Sequence, residues 1–180
     1  MLRDSRFIRS IMGGCAVFAL AGALAQAQSV SERASATLKT ADGEAAGSVS
    51  LAQTPNGVLL TATLTSLPPG EHGFHIHETG SCEPDFASAG GHFAPAGAAH
   101  GVLSPDGAHA GDMPNIYIGA DGALKIEVLN PQISLLPDGE GYLFDEDGAA
   151  ILIHSGGDDY ASQPSGAAGN RIACGAIEKN

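Results

Sequence analysis

The sequence predicts an all-β domain, an eight-stranded Greek-key β-sandwich or flattened barrel that carries its chemistry on two long loops. Three observations predict it. Short segments alternate apolar and polar residues with the two-residue period of a strand. Clusters of Gly, Pro, Asn and Asp separate them. Beyond the N-terminal leader, no stretch of ten or more residues carries a helical period. A chain of 180 residues holds one such domain with a proper core.

The elements follow in order. Arg3, Arg6 and Arg9 precede an apolar run from Ile11 to Ala25, and Ala25-Gln26-Ala27 closes it with a small-x-small cleavage pattern. Residues 1–27 therefore read as a secretory signal peptide and 28–180 as the domain. As a membrane span the run falls short of the roughly 20 apolar residues a helix needs, and Gly13, Gly14 and Gly22 interrupt it. Ala34, Ala36 and Leu38 alternate with polar neighbours, Ala41-Asp42-Gly43-Glu44 turns the chain, and residues 47–52 complete a first hairpin. Val58, Leu60, Ala62 and Leu64 mark a third strand, and Pro68-Pro69-Gly70 leads into a fourth, which carries His72, His75 and His77. A long loop from Glu78 to Pro114 follows. Strands around Ile116 to Ile118 and Leu124 to Val128, joined at Ala120-Asp121-Gly122, make a second hairpin. Residues 149–154 form a seventh strand ending in His154, residues 155–170 a second long loop, and Arg171 to Ile177 the last strand.

Six of the seven histidines lie between Glu71 and Asp112. On a strand His75 and His77 share a face, and Phe74 and Ile76 face the core. His92, His100, His109 and Asp112 follow in Gly- and Pro-rich sequence that can fold back to gather ligands. Imidazole suits zinc and copper alike, while the hard carboxylate of Asp112 suits zinc as a fourth tetrahedral ligand. The residues therefore point to a two-metal site. His72 is out of phase with His75, which predicts a buried structural hydrogen bond for it and no place among the ligands.

Without the leader the domain keeps 5 basic and 19 acidic residues, a formal charge of −14. Such a balance excludes nucleic acid as a partner. Cys82 and Cys174 are then the only cysteines, and in an exported chain a disulfide between them is the expected state, with two buried thiols the alternative.

Five motifs carry a family resemblance: Gly73-Phe74-His75-Ile76-His77, Ser88-Ala89-Gly90-Gly91-His92-Phe93, Ala99-His100-Gly101, His109-Ala110-Gly111-Asp112-Met113-Pro114-Asn115, and Gly169-Asn170-Arg171-Ile172-Ala173-Cys174-Gly175. In this order they resemble the exported, bacterial-type copper/zinc superoxide dismutases. The resemblance implies copper on His75, His77, His92 and His154, and zinc on His92, His100, His109 and Asp112, with the His92 ring shared. It implies superoxide as substrate, taken alternately to dioxygen and to hydrogen peroxide, with His92 handling a proton and Arg171 holding the anion. Asp158 corresponds to the carboxylate that orients one copper and one zinc histidine, His75 and His100, with Asp159 its solvated neighbour. A periplasmic antioxidant enzyme follows, a monomer or homodimer with no stable membrane association after cleavage. One feature departs from the better-known members: no Lys or Arg lies between Lys39 and Lys125 or in the second loop, so steering of an anion by a basic rim is absent from the pattern. A non-catalytic metal carrier on the same fold is the rival reading, but it has no use for Arg171 or a shared histidine. A zinc hydrolase lacks a general base within the His-x-His motif.

Overall fold

A computed structural model describes residues 32–180, and the expected leader lies outside them. Among the described residues there are nine strands: β1 (Arg33–Thr40), β2 (Ala45–Thr54), β3 (Gly57–Leu64), β4 (Gly70–His72), β5 (Phe74–His77), β6 (Ile116–Ile118), β7 (Leu124–Asn130), β8 (Ala150–His154) and β9 (Arg171–Lys179). Seven make one antiparallel sheet in the order β5-β8-β9-β1-β2-β3-β7, and β4 pairs with β6 in a two-stranded ribbon. Ile116 and Ile118 of the ribbon join the core formed by the large sheet, so the ribbon closes over that sheet's inner face. Because β9 returns beside β1 and β7 crosses to β3, the long connections run across the ends of the fold in Greek-key fashion.

The alternation read from the sequence is the burial pattern observed. Ala34, Ala36 and Leu38 of β1 and Val58, Leu60, Ala62 and Leu64 of β3 point inward, and their polar neighbours do not. The first hairpin forms, with Ala34 opposite Leu51 and Ala36 opposite Val49.

Two expectations are corrected. The single histidine strand divides at Gly73: its first half pairs with β6, its second with β8. At the division the Gly73 N–H bonds to the Gly156 carbonyl at 2.8 Å and its carbonyl accepts from His154 N–H at 2.9 Å. The chain thus changes partner without losing hydrogen bonds, and nine strands result where eight were expected. The second hairpin does not form either. The turn at residues 119–122 sends β6 to the ribbon and β7 to β3, where Val58 through Leu64 pair with Asn130 through Leu124. The longer ladder to β3 satisfies more backbone groups than three-residue β6 could.

β5 and β8 are buried on both faces. Phe74, Ile76, Ile151 and Ile153 enter the main core, each removal from water worth about 1.5–3 kcal/mol. The opposite face of β8 packs Ala150 and Leu152 against Ala89 and Cys174, with Cys82 and Phe86 beside them. This outer layer is the first long loop, and a short 3-10 helix within it, Phe86–Ala89, begins at Asp85, whose side chain accepts from Ala87 N–H. The Cys82–Cys174 disulfide staples that loop to β9.

Candidate metal centre

The centre lies on the outside of the sheet, where β5 and β8 are roofed by the two long loops. β5 is an edge strand, and its backbone is satisfied by the first loop passing beside it twice. Ile76 N–H bonds to Gly111 O at 2.9 Å, Phe93 N–H to Ile76 O at 2.9 Å, and Gly111 N–H to Phe93 O at 2.8 Å. A Cβ at Gly111 would overlap the Ile76 carbonyl, so this approach needs glycine. The two passes set His92 opposite His77 and Asp112 opposite His75. His154, at the end of β8, comes from the neighbouring strand.

Two groups of side chains result, His75, His77, His92 and His154, and His92, His100, His109 and Asp112, each presenting ligand atoms within 4.8 Å of one another. All seven are the residues the sequence singled out, and His92 belongs to both groups. In the first group His75 Nδ1, His77 Nε2, His92 Nε2 and His154 Nε2 are buried without any hydrogen-bond partner. Orphaned buried polar atoms are costly, and four converging imidazole nitrogens are what a copper ion binds. The opposite ring nitrogens are held: His75 Nε2 donates to Asp158 at 2.9 Å and His77 Nδ1 to Gly90 O at 3.0 Å.

In the second group the Nδ1 atoms of His92, His100 and His109 surround one oxygen, Asp112 Oδ1, at 2.8, 3.0 and 3.3 Å. A tetrahedron with zinc–ligand bonds of about 2.0–2.1 Å has edges of roughly 3.3 Å, so the three edges that meet at Asp112 Oδ1 are close to those of a closed zinc site. Asp112 Oδ2 accepts from the N–H groups of Gly101 and His109, which fixes the carboxylate's turn toward the rings. His92 thus offers Nε2 to one group and Nδ1 to the other.

Asp158 joins the groups, accepting from His75 Nε2 at 2.9 Å and His100 Nε2 at 3.0 Å. Its own backbone is gripped by Asn115, whose Nδ2 donates to Asp158 O and whose Oδ1 accepts from Asp158 N–H. In the sequence Asn115 stands only at the end of the His109-to-Asn115 motif, with nothing to mark this contact. Asp159 is exposed and accepts from Ala161 and Ser162. His72 is buried with each ring nitrogen against a carbonyl, His154 O at 2.7 Å and Pro68 O at 2.8 Å, and contributes to neither group.

Burial sets the electrostatics. It pushes His77 down to about 2 and His154 down to about 3, and lowers His75 as well. Burial works against the charge of Asp158, but the bonds from His75 and His100 hold it down at about 2. Asp112 is likewise opposed by burial and is held well below the carboxylate range by His92 and the Gly101 N–H. Because the histidines are lowered from 6.5, the unfolded chain takes up protons before the folded one, and stability present above pH 6.5 is lost as pH falls toward the folded values. The metal-free protein is therefore expected to melt at steadily lower temperature between pH 7 and pH 4. A flat melting profile over that window, followed by circular dichroism, would contradict this.

A cleft of about 310 Å³ opens over the first group, walled by His77, His92, His154, Pro164, Ser165 and Arg171. Arg171 donates to the carbonyls of Phe86 and Gly90, and among the described residues is the only Lys or Arg lining the cleft. Burial draws its guanidinium below the ordinary arginine value, against the opposing pull of Asp85 and Glu78.

An antiparallel Greek-key β fold carrying two histidine-rich groups that share one ring defines a β metalloprotein with paired metal sites. Residues 45–177 match the family model for copper/zinc superoxide dismutase (SODC). The chain is 50% identical over 147 residues to a Cu-Zn superoxide dismutase of Aquifex aeolicus (81% of this chain, 86% of the relative). It is 46% identical over 148 residues to one of Caulobacter vibrioides (81% and 85%). The crystal structure of a SOD-like protein from Bacillus subtilis superposes with a TM-score of 0.76 at 42% identity, covering 79% of this chain and 96% of that one. The chain belongs to the copper/zinc superoxide dismutase family, and is accordingly an oxidoreductase with copper and zinc as its cofactors.

Proposed function

We propose that His75, His77, His92 and His154 hold the catalytic copper and that His92, His100, His109 and Asp112 hold a structural zinc. The observation that carries this is the pairing of four orphaned imidazole nitrogens on one side of His92 with a carboxylate-centred cluster on the other. Copper bound there would supply the one-electron chemistry by which one superoxide is oxidised to dioxygen and the next is reduced and takes up two protons, one from His92 and one from water, to leave as hydrogen peroxide. The chain's own residues do the rest. His92 is fixed through Nδ1, which leaves Nε2, beside the cleft, as the donor atom for copper and, whenever it is not bonded to the metal, as the atom that can hold and give up a proton. Arg171 presents a planar cation to a small anion in the cleft. Asp158 fixes the tautomers of His75 and His100 by taking their Nε2–H groups.

The leader pattern, the disulfide and the acidic surface support an exported enzyme: residues 1–27 direct export and are removed, and the domain of residues 28–180 protects the periplasm from superoxide. It works there free of the membrane, as a monomer or a homodimer.

The test is dismutase activity of the purified, metal-loaded domain beside His92→Ala, with copper and zinc measured on each. The variant is expected to lose most of its activity and to bind zinc at least tenfold more weakly, because both groups lose a ligand. A fully loaded wild type no faster than free copper would turn the reading toward a metal carrier.

A further inference from the structure

Gln163 lies in the second long loop, outside every motif that marks the metal ligands, and its side chain does something specific. Its carboxamide accepts from the His100 N–H at 3.0 Å through Oε1 and donates to the His100 carbonyl at 2.9 Å through Nε2. Both backbone polar groups of one residue are thus paired with one side chain, as a neighbouring strand would pair them. A second donor contact, from Nε2 to Ala161 O at 3.1 Å, orients the amide from its own loop. The two residues that follow, Pro164 and Ser165, form a wall of the cleft that His77, His92 and His154 also line.

We propose that Gln163 is a positioning residue that locks the His100 backbone in its zinc-ligating place and, through the same bonds, seats the Pro164–Ser165 wall over the copper-side cleft. This rests on the assignment of His100 to the zinc ligand set. The physical argument is one of degrees of freedom. His75, His77 and His154 sit on strands whose ladders hold their backbones. His100 sits in the first loop, outside any strand. Its ring is tied at both nitrogens, Nδ1 against Asp112 and Nε2 to Asp158, and the flanking N–H groups of Ala99 and Gly101 bond to Asp106 O and Asp112 Oδ2, but none of these bonds uses the N–H or the carbonyl of His100 itself. The single planar amide of Gln163 takes both. The amide replaces the ladder that a strand ligand has and a loop ligand lacks. Gln163 is itself exposed, so substitution there opens no hole in the core.

The discriminating variant is Gln163→Met, which keeps length and removes both bonds. On copper- and zinc-loaded protein, zinc release to a chromogenic chelator is expected to be about tenfold faster than in wild type, the lower end of what partners of metal ligands contribute. Copper release should be unchanged, since three of its four ligands lie on strands. With cobalt(II) in the zinc position as optical probe, the ligand-field bands should shift as His100 relaxes, a signal that a loss of general stability does not move. Hydrogen exchange at residues 155–170 should speed up, and the metal-free melting temperature should match wild type. The proposal is overturned if zinc release and the cobalt bands are unchanged. It is equally overturned if both metals leave faster alongside a lower metal-free melting temperature, which is general loosening. A wild type that takes up neither zinc nor cobalt removes the ligand assignment itself, and the role of Gln163 with it.

Discussion

Arg171→Ala is expected to lower kcat/KM for superoxide by about a hundredfold while copper and zinc contents stay at wild-type levels. The magnitude is that of removing one preorganised donor from a small, partly desolvated site. The guanidinium is held in the cleft by two backbone carbonyls, those of Phe86 and Gly90, and both lie in the loop stapled to β9 by the Cys82–Cys174 disulfide, three residues from Arg171 itself. Gly90 O also accepts from His77, so the cation is placed relative to the first histidine group by one shared atom. No other Lys or Arg lines the cleft, and the chain as a whole carries a formal charge of −12. The far field therefore repels an anion, and attraction begins only within about a Debye length of Arg171, roughly 10 Å at 0.1 M salt. Rates followed from 10 to 200 mM salt should fall only shallowly for wild type. For Arg171→Ala they should rise with salt, as the uncompensated acidic surface is screened. A variant as fast as wild type would remove Arg171 from anion capture, and one that loses copper would make its role structural.

The fold was legible where the signal is local. Alternation at residues 34–38 and 58–64 identifies strands because each has one face in the core. The split at Gly73 was not legible, since His72, Phe74 and Ile76 continue one alternating pattern through it. The change of partner is decided by Gly156, a loop residue more than eighty positions away. The false hairpin at residues 116–128 has the same origin: a turn reports that the chain reverses, while the pairing belongs to whichever ladder is longer. The residues of the two histidine groups are conspicuous because histidine is uncommon and its chemistry narrow. Asn115 and Gln163 are not, because an amide can bond any backbone and nothing in the sequence says which one it meets. The 3-10 turn at Phe86–Ala89 is four residues long, too short for a period to register.

Gly166→Ala should weaken zinc binding by 10- to 100-fold, and Gly97→Ala should leave it nearly unchanged. The two glycines share a backbone conformation, φ +67° at each, so alanine carries the same left-handed penalty, about 1–2 kcal/mol, at both. Their surroundings differ. A Cβ at Gly97 meets nothing within 4 Å. At Gly166 it would overlap Asp158 Oδ1 and lie 2.7 Å from His100 Nε2, the two atoms of a bond that ties the second loop to the second residue group. Relief requires Asp158 to move, and Asp158 cannot move alone: the same carboxylate takes the Nε2–H of His75 and the Tyr160 N–H, and its backbone is clasped by Asn115. Both His75 and His100 would lose the acceptor that fixes their tautomer, a loss that typically costs 10–100-fold in metal affinity. Competition titrations of zinc against a chelator, on both variants at matched metal-free melting temperature, separate packing at Asp158 from backbone strain. Equal affinities for the two variants would mean that the Asp158 carboxylate tolerates displacement and does not govern the geometry of the centre.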